Sequence, residues 1–413
     1  MPAIATDLKK FTGYQIFVVA ILAFLQFTLV LDFMILSPLG AILMPELNIT
    51  TQQFGLVVSI YAFSAGASGL LAAGFADRFD RKKLLLFFYT GFVVGTFLCA
   101  IATDYRFLLG ARMITGIFGG VIGAVSFAIT TDLFPYEMRG RVMGVIQTSF
   151  AVSQIMGIPA GLFLSNHWGW HAPFMMIVVV SILVGGVIAV YLRPLNAHLL
   201  LKSTSGPWRH LMNTVSRPRY LQAFATTALL STGGYMMMPF SSAFAVNNLK
   251  IDLEHLPLVY LFTGICNIAV APLIGRMADS IGKFTVFASG SLLTVTTVII
   301  YTHMGETPIA LVILVSVLMF AGITSRMISA SALMSAIPDP AHRGSFMSVS
   351  SSLQQISGGF AAALAGMIVV QNGVGPLQNF DILGYVVVGA TGITVILMYF
   401  VNRYVSGSIQ SHA

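Results

Sequence analysis

Three charged residues lie within long apolar stretches of the sequence, where an ionised side chain is costly unless it has a partner or a function. They are Asp32 in the first stretch, Arg112 in the fourth and Arg326 in the tenth. A carboxylate beside an arginine can bind and release a proton when its hydration or its distance from the cation changes. Asp32 and Arg112 are therefore the candidates for proton coupling.

The positions of these charges along their helices indicate which of them can meet. Asp32 lies about 18 residues, or roughly 27 Å, from the start of its stretch. The fourth stretch crosses the membrane in the opposite direction, and Arg112 lies near its start. Both residues should therefore lie in the outer half of the membrane, where an Asp32–Arg112 pair is geometrically possible. A permanent structural ion pair is the alternative to proton coupling. Arg326 lies nearer the cytoplasm, where it either binds an anionic group of a substrate or donates to backbone carbonyls and water.

Other polar side chains within the apolar stretches should face the interior of a helix bundle, because lipid offers them no hydrogen bonds. The candidates for a substrate cavity, besides Arg326, are Gln26, Tyr61, Gln147, Gln154, Tyr235, Asn247, Asn267, Gln354 and Gln355. The histidines fall in loops or at the ends of the stretches, so we expect no metal site and no cofactor.

The composition requires lipid as the solvent of these elements. Charged residues make up 8% of the 413 residues and hydrophobic residues 57%, whereas soluble proteins have about a quarter charged residues. Stretches of the length that crosses a membrane, about 20 residues, predict an all-α membrane protein with twelve transmembrane helices. They lie near 14–44, 53–75, 84–103, 107–132, 143–165, 172–193, 220–244, 256–278, 284–302, 308–336, 346–371 and 380–402.

The positive charges predict the orientation of the helices. Of the 21 lysines and arginines, all but four fall on the side that carries both termini, and cytoplasmic loops are the ones that retain such residues. Both termini should therefore be cytoplasmic. Because the net charge of +7 is spread over short loops and not clustered on one wetted face, it does not indicate nucleic-acid binding.

Two loop motifs recur about 200 residues apart and divide the chain into two halves. The residues around Asp77 and Arg78 recur around Asp279, and Arg139-Gly140 recurs as Arg343-Gly344. We predict an N-terminal six-helix bundle over 1–193, a cytoplasmic linker over 194–219 and a C-terminal six-helix bundle over 220–413. Six helices per repeat make the halves parallel, with a substrate cavity between them.

The first of these loops resembles the signature of the major facilitator superfamily, in its bacterial drug and sugar efflux branch. Asp77, Arg78, Arg81 and Lys82 match the family pattern, while Asp80 stands in place of a glycine. The resemblance covers the whole chain and implies a conformational latch formed by Asp77, Arg78, Arg81, Asp279 and Lys283. A solvated run of positive charge is the alternative interpretation.

The fourth and fifth stretches carry small residues that are similar to the motifs of the same family. Gly116 follows Arg112, and Gly157, Pro159 and Gly161 resemble the glycine–proline motif of the efflux branch. Small residues with a proline allow close helix contact and a bend. These residues are therefore predicted to pack helices together.

Together these features predict a secondary transporter that exports small amphipathic or sugar-like molecules by alternating access, driven by the proton gradient. Its expected partners are a small-molecule substrate, protons and the lipid bilayer; we expect a monomer in the bacterial inner membrane. Absence of a phosphate-binding glycine–lysine motif argues against ATP-driven transport, and no catalytic constellation indicates an enzyme. A facilitator or importer of a small metabolite, and a transport-inactive sensor or scaffold, are the alternatives.

Overall fold

The chain forms long helices joined by short loops. A computed structural model describes residues 11–196, 199, 217–338, 343–373 and 375–410. The helices are α1 (Gly13–Glu46), α2 (Thr51–Phe75), α3 (Arg81–Ala100), α4 (Tyr105–Leu133), α5 (Tyr136–Val152), α6 (Ile158–Trp168), α7 (Ala172–Tyr191), α8 (Pro218–Met237), α9 (Ser241–Asn247), α10 (Leu256–Ser280), α11 (Lys283–Thr302), α12 (Ile309–Ser335), α13 (Arg343–Ile368) and α14 (Phe380–Gln410).

These helices confirm the predicted all-α architecture of twelve crossings. Within the described residues, ten helical segments are long and apolar enough to span a membrane. The seventh crossing is α8 with α9, and the eleventh is α13. Helix α13 is rich in serine and glutamine and packs against α2 and α8, so most of its described polar side chains are at least partly buried against other helices.

The observed helix boundaries differ from the predicted ones at the starts of α1 and α2, which are capped by threonine side chains, and within the fifth span, which contains a proline. Thr12 and Thr50 form capping boxes that start α1 and α2, as their side-chain oxygens accept from backbone N–H groups that have no partner in the helix. The predicted fifth span, 143–165, is two helices joined by a π-helical turn at Ser153–Gly157. Pro159 follows that turn, and proline cannot supply the hydrogen bond of a regular α-helix.

The predicted eleventh span extends to residue 371, but α13 ends at Ile368. The apolar residues that follow belong to a short antiparallel hairpin, β1 (Val370–Gln371) and β2 (Leu377–Gln378), in which Val370 pairs with Gln378. A run of apolar residues does not distinguish a short strand from the end of a buried helix.

Three large hydrophobic clusters show how the halves meet. We call the side on which α1 begins the terminal face and the side on which α1 ends the far face. The largest cluster contains residues of both halves, including Leu39 and Phe54 of the first half with Phe240 and Ala362 of the second. Two further clusters lie towards the terminal face: one is built from the first half alone, and the other from the second half with Leu70 of α2 packed against it.

Polar contacts reinforce the joint between the halves near the far face. The Ser37 hydroxyl donates to the carbonyl of Met238, and the Ser242 hydroxyl donates to the Ser37 carbonyl at 2.7 Å. The Thr51 hydroxyl donates to the Val369 carbonyl at 2.5 Å. The halves are therefore closed against each other at the far face.

The predicted linker lies mostly outside the described residues, namely at 197, 198 and 200–216. Its first residues are attached to the first half. The Leu195 carbonyl accepts from the Arg81 backbone N–H at 3.0 Å, and the Leu195 N–H donates to the Asp80 carboxylate at 2.9 Å. The division of the chain into bundles at 193 and 220 stays a prediction.

Close packing between α2 and α4 depends on Gly116. A Cβ atom at this position would lie 2.5 Å from the Tyr61 carbonyl oxygen, whereas one at Gly123 of the same helix would have no neighbour within 4 Å. We expect Gly116→Ala to lower the free energy of unfolding by about 1–3 kcal/mol, because the tightly packed helices must move apart. Thermal unfolding of purified protein measures this; Gly123→Ala is the control, and equal melting of the two variants would contradict the packing role.

Candidate proton and substrate site

Asp32 of α1 and Arg112 of α4 form a buried ion pair. An Nη1 nitrogen of Arg112 lies 2.8 Å from the Asp32 carboxylate and also donates to the Asp32 backbone carbonyl at 3.3 Å. Both side chains have at most 1% of their surface exposed. The sequence placed the two residues at similar depth, and the structure brings them into contact; their role in proton coupling stays a prediction.

The pair has neighbours that complete its polar environment. The Thr96 hydroxyl of α3 donates to the second carboxylate oxygen of Asp32 at 3.2 Å. The Arg112 guanidinium carbon lies 4.4 Å from the centre of the Tyr61 ring, a distance at which the ring attracts the cation. The Nε of Arg112 has no hydrogen-bond partner among the described residues. The pair therefore keeps one unused donor.

An aromatic path connects this pair to the second half. The Tyr61 ring lies 5.5 Å from the ring of Phe33, the residue after Asp32, and the Phe33 ring lies 5.7 Å from that of Tyr235 in α8. The Tyr235 ring in turn covers Gly358 of α13 at a distance that leaves no room for a Cβ atom. A displacement of α8 or α13 would therefore press directly on the surroundings of Asp32.

A further polar contact between the halves joins two predicted cavity residues. The Asn267 side chain of α10 donates to the Gln154 side-chain oxygen at 3.2 Å, and the Thr324 hydroxyl of α12 donates to the Asn267 side-chain oxygen. Gln154 lies in the π-helical turn between α5 and α6. Its amide group is thus held at the interface between the halves.

The remaining cavity candidates are distributed more widely. Gln26, Asn247, Gln354 and Gln355 are half-buried, while Gln147 is exposed. The side-chain oxygen of Gln355 is buried without a partner in the described part of the chain. Of the predicted cavity residues, Tyr61 and Tyr235 therefore lie in one aromatic cluster, and Gln154 and Asn267 form a separate hydrogen-bonded pair. Among the described residues, the other predicted glutamines form no hydrogen bond with either group.

Arg326 is buried in the second half, away from the Asp32–Arg112 pair. It is 3% exposed, and its guanidinium carbon lies 5.9 Å from the centre of the Phe287 ring. Its Nε and Nη2 nitrogens are buried with no hydrogen-bond partner in the described residues. The two roles predicted for Arg326, binding an anionic group of a substrate or donating to backbone carbonyls and water, both stay predictions.

The latch residues have contacts within their own halves. Arg81 is buried and donates to the Asp132 carboxylate of α4 at 3.1 Å and to the Ala76 carbonyl at 2.9 Å. Asp279 and Lys283 form an exposed pair at 3.7 Å, one helical turn apart. Arg78 is exposed, and the side chain of Asp77 lies outside the described residues. A latch between the halves stays a prediction.

Asp80, which replaces a glycine of the family pattern, starts α3. One carboxylate oxygen accepts from the Lys83 N–H at 3.0 Å, and the other accepts from the Leu195 N–H. Lys82 reaches the Ala189 carbonyl in the last turn of α7 at 2.8 Å, where a cation is favoured by the helix dipole. This loop therefore ties together α2, α3, α4 and α7 of the first half.

We expect Arg81→Met to lower the free energy of unfolding by about 1.5–3 kcal/mol, the usual range for hydrogen bonds to a charged group. Arg81 holds the end of α2 to α4 through the Ala76 carbonyl and the Asp132 carboxylate, whereas Arg78, three residues earlier, is exposed. Thermal unfolding of both methionine variants measures the difference. If Arg78→Met melted as low as Arg81→Met, the loop would be stabilised by its overall charge and not by these contacts.

The predicted packing glycines of the fifth span face α1. A Cβ atom at Gly157 would lie 2.6 Å from a methyl carbon of Leu31, and one at Gly161 would lie 2.4 Å from a methyl carbon of Ile35. Pro159 is half-buried between them. These glycines allow α6 to approach the turns of α1 that flank Asp32.

Comparison with known proteins gives the class to which this architecture belongs. The family model described as Major Facilitator Superfamily matches residues 22–362 and 223–411. The chain belongs to this superfamily: it is a multi-pass membrane transporter and not an enzyme.

Its curated relatives are transporters of the same family at low identity. "Uncharacterized MFS-type transporter YceJ" of Bacillus subtilis (strain 168) is 26% identical over 65% of this chain and 68% of its own length. "Probable sugar efflux transporter" of Pasteurella multocida (strain Pm70) is 22% identical over 62% of each chain. For another Bacillus subtilis transporter, YwfA, the match covers only 34% of that protein.

Solved structures share the fold over nearly the whole chain. A bacterial homologue of the human lysosomal transporter Spinster, in an inward-facing and unoccupied conformation, has a TM-score of 0.71 at 15% identity, covering 96% of this chain and 97% of that one. A mutant of the nucleoside transporter NupG also has a TM-score of 0.71 at 15% identity, covering 93% of this chain and 99% of that one. At this identity the likeness concerns the fold alone.

Proposed function

We propose that this transporter exports small amphipathic or sugar-like molecules in exchange for protons, by alternating access. The observation that carries the proposal is the buried Asp32–Arg112 pair. Asp32 is the one carboxylate that lies in the interior of a span among the described residues, since the others are in loops or close to helix ends. An ionisable group at this depth is a candidate functional site by default, and proton relays are one of the roles that such groups have.

The contacts of the pair extend to the second half, which supports a link between the pair and a conformational change. Its contacts run from Arg112 to Tyr61, then to Phe33, and from there to Tyr235 in the other half. A movement of the halves that admits water to Asp32, or lengthens its 2.8 Å contact with Arg112, would change its affinity for a proton. Substrate and proton could thus be exchanged through one interface.

The arrangement of the hydrophobic clusters supports alternating access. One cluster is shared by both halves at the far face. The two clusters towards the terminal face are each built mainly from one half, with Leu70 of α2 packed against the cluster of the second half. If the positive charges of the terminal face place it in the cytoplasm, as we propose for a protein of the bacterial inner membrane, this arrangement corresponds to an inward-open state. Rocking of the halves would then open the far face and close the terminal one.

The substrate class rests on the relatives and on the character of the cavity residues. One kind of relative is named for export, "Probable sugar efflux transporter", and another is named "Multidrug resistance protein 3". Amide and tyrosine side chains at Gln154, Asn267 and Tyr235 offer hydrogen bonds to a sugar-like or amphipathic molecule. The protein would act as a monomer, with no cofactor other than the proton gradient.

The proposal is tested by flux in proteoliposomes with an imposed pH gradient. Isopropyl thiogalactoside and ethidium serve as sugar-like and amphipathic probes. Uphill accumulation that requires the pH gradient would support the exporter. Flux that only equalises the concentrations would support a facilitator, and binding without any flux would support a sensor.

A further inference from the structure

Arg326 is a buried cation whose side-on edge has no acceptor. The Nε–H and Nη2–H groups of a guanidinium point in parallel along one edge, and it is this edge that a carboxylate or phosphate binds with two hydrogen bonds. In Arg326 both nitrogens of that edge are buried and unpartnered among the described residues. Arg112, in contrast, already holds a carboxylate.

Within the described part of the second half, no acidic side chain is in a position to neutralise Arg326. The carboxylates there all lie in loops or within two residues of a helix end: Asp252, Glu254, Asp279, Glu306 and Asp381. A buried charge without a partner is strongly destabilising, and a bound anion would offset this cost. The surroundings of Arg326 therefore carry an excess of positive charge that fits an anionic ligand.

The Thr391 hydroxyl is a second hydrogen-bond donor close to the Arg326 guanidinium. A Cβ atom placed at Gly233 of α8 would lie 3.9 Å from Nη1 of Arg326 and 3.7 Å from the Thr391 hydroxyl of α14. The Thr391 hydroxyl is also buried without a partner in the described residues. Gly233 thus leaves a gap, at least one methyl group in size, beside two groups that can donate hydrogen bonds to one anion.

Arg326 is connected along α12 to a contact between the halves. Thr324, two residues before Arg326, donates to Asn267, which in turn donates to Gln154 of the first half. Gly234, next to Gly233, is exposed. An anionic group held at Arg326 would therefore lie within the second half, two residues along α12 from the hydroxyl that begins this chain of hydrogen bonds to the first half.

We propose that Arg326, with Thr391 and the gap at Gly233, binds the carboxylate or phosphate group of the transported molecule, so that the substrates are small anions with a sugar-like or apolar body. This rests on the proposed function for the direction and coupling of transport, but the binding itself requires neither. A free inorganic anion such as chloride could also accept hydrogen bonds from Arg326. The test below therefore compares chloride with organic carboxylates.

The test compares carboxylates with their primary amides, which have nearly the same shape and no charge. Purified full-length protein is heated with gluconate or gluconamide, with benzoate or benzamide, and with chloride; a ligand that binds the folded state raises the melting temperature. We expect at least one carboxylate to bind at least tenfold more tightly than its amide and than chloride. Equal effects of acid and amide, no effect of either, or an effect matched by chloride would overturn the proposal.

Substitutions at the proposed site test whether these residues cause the tighter binding of carboxylates. Gly233→Ala fills the gap without strain, because the new contacts are ordinary van der Waals distances, and should weaken carboxylate binding about tenfold. Gly234→Ala, where a Cβ atom has no neighbour within 4 Å, is the matched control. Arg326→Met should abolish the preference for carboxylates without lowering the melting temperature of the ligand-free protein.

The opposite results would assign Arg326 a structural role. If Arg326→Met melted lower and Gly233→Ala still bound carboxylates like Gly234→Ala, the arginine would serve to hold the helices and the proposal would be wrong. These are equilibrium binding measurements without a gradient. Loss of proton coupling would therefore leave them unchanged, which separates a failure of the proposed function from a failure of this proposal.

Discussion

Asp32→Asn is expected to abolish accumulation driven by a pH gradient while downhill exchange of the same probe survives. Asparagine has the shape of a protonated aspartate, so the variant imitates one of the two states through which a proton carrier must pass. It cannot release a proton, and the gradient then has no means of driving transport. Because the wild-type protein would visit that neutral state in every cycle, we expect the melting temperature of the variant to change little.

Thr96→Val is the matched control for this variant. It removes the hydroxyl that donates to Asp32 but leaves the titrating group and its arginine in place, so accumulation should persist. If the pair were only a structural brace, Asp32→Asn would leave Arg112 as a buried orphan charge. It would then lower stability by about 3–5 kcal/mol, and accumulation per folded molecule would remain.

Gly55→Leu is expected to reduce transport by about tenfold or more by preventing closure of the far face. A Cβ atom at Gly55 would lie 2.8 Å from the Ala362 carbonyl and 3.1 Å from the Cα atom of Gly366, so α2 and α13 cannot keep this approach with a larger residue. Overpacking costs about 1–3 kcal/mol, and here the cost falls on the state that is closed at the far face. A cost of about 1.4 kcal/mol changes the ratio of two states tenfold.

Accessibility of a cysteine in the cavity measures this shift. In a background without native cysteines, Gln154→Cys should react faster with an impermeant thiol reagent from the far face when Gly55→Leu is present. Gly186→Leu, at a position where a Cβ atom has no neighbour within 4 Å, should leave both labelling and transport unchanged. Equal labelling of the Gly55→Leu and Gly186→Leu proteins would show that the far face does not open by separation of α2 and α13.

The sequence predicted the helices and one ion pair because the underlying signals are strong. Apolar stretches of membrane-spanning length are unmistakable, and a charge within such a stretch is rare enough to identify Asp32 and Arg112 one by one. Their contact followed from similar depth along helices that enter from opposite sides. The π-helical turn and the hairpin after α13 were not predicted, because local apolar character is the same in a regular helix, an irregular helix and a short strand.

Residues that act through their neighbours were missed. Thr96 and Thr391 are two of many hydroxyl side chains in the helices, most of which donate to a carbonyl of the preceding turn, as Thr394 does at 2.6 Å. No pattern in the sequence distinguishes the few that do otherwise. Phe33 was missed because an aromatic residue in an apolar helix is ordinary until its partners Tyr61 and Tyr235 are seen.

The acceptor of Arg81 was also missed. Asp132 lies at the end of α4, 51 residues along the chain from Arg81, and nothing in the loop motif around Asp77 points to it. Only the packing of α2 and α3 against α4 brings the two side chains together.

The most direct test of proton exchange records the pH inside proteoliposomes while a probe moves down its own concentration gradient, with no pH gradient imposed. The probe is whichever of isopropyl thiogalactoside, ethidium or gluconate the wild-type protein transports. We predict that protons move in the direction opposite to the probe and that Asp32→Asn moves the probe without moving protons. Transport of the probe by the wild-type protein with no change of internal pH would contradict the account.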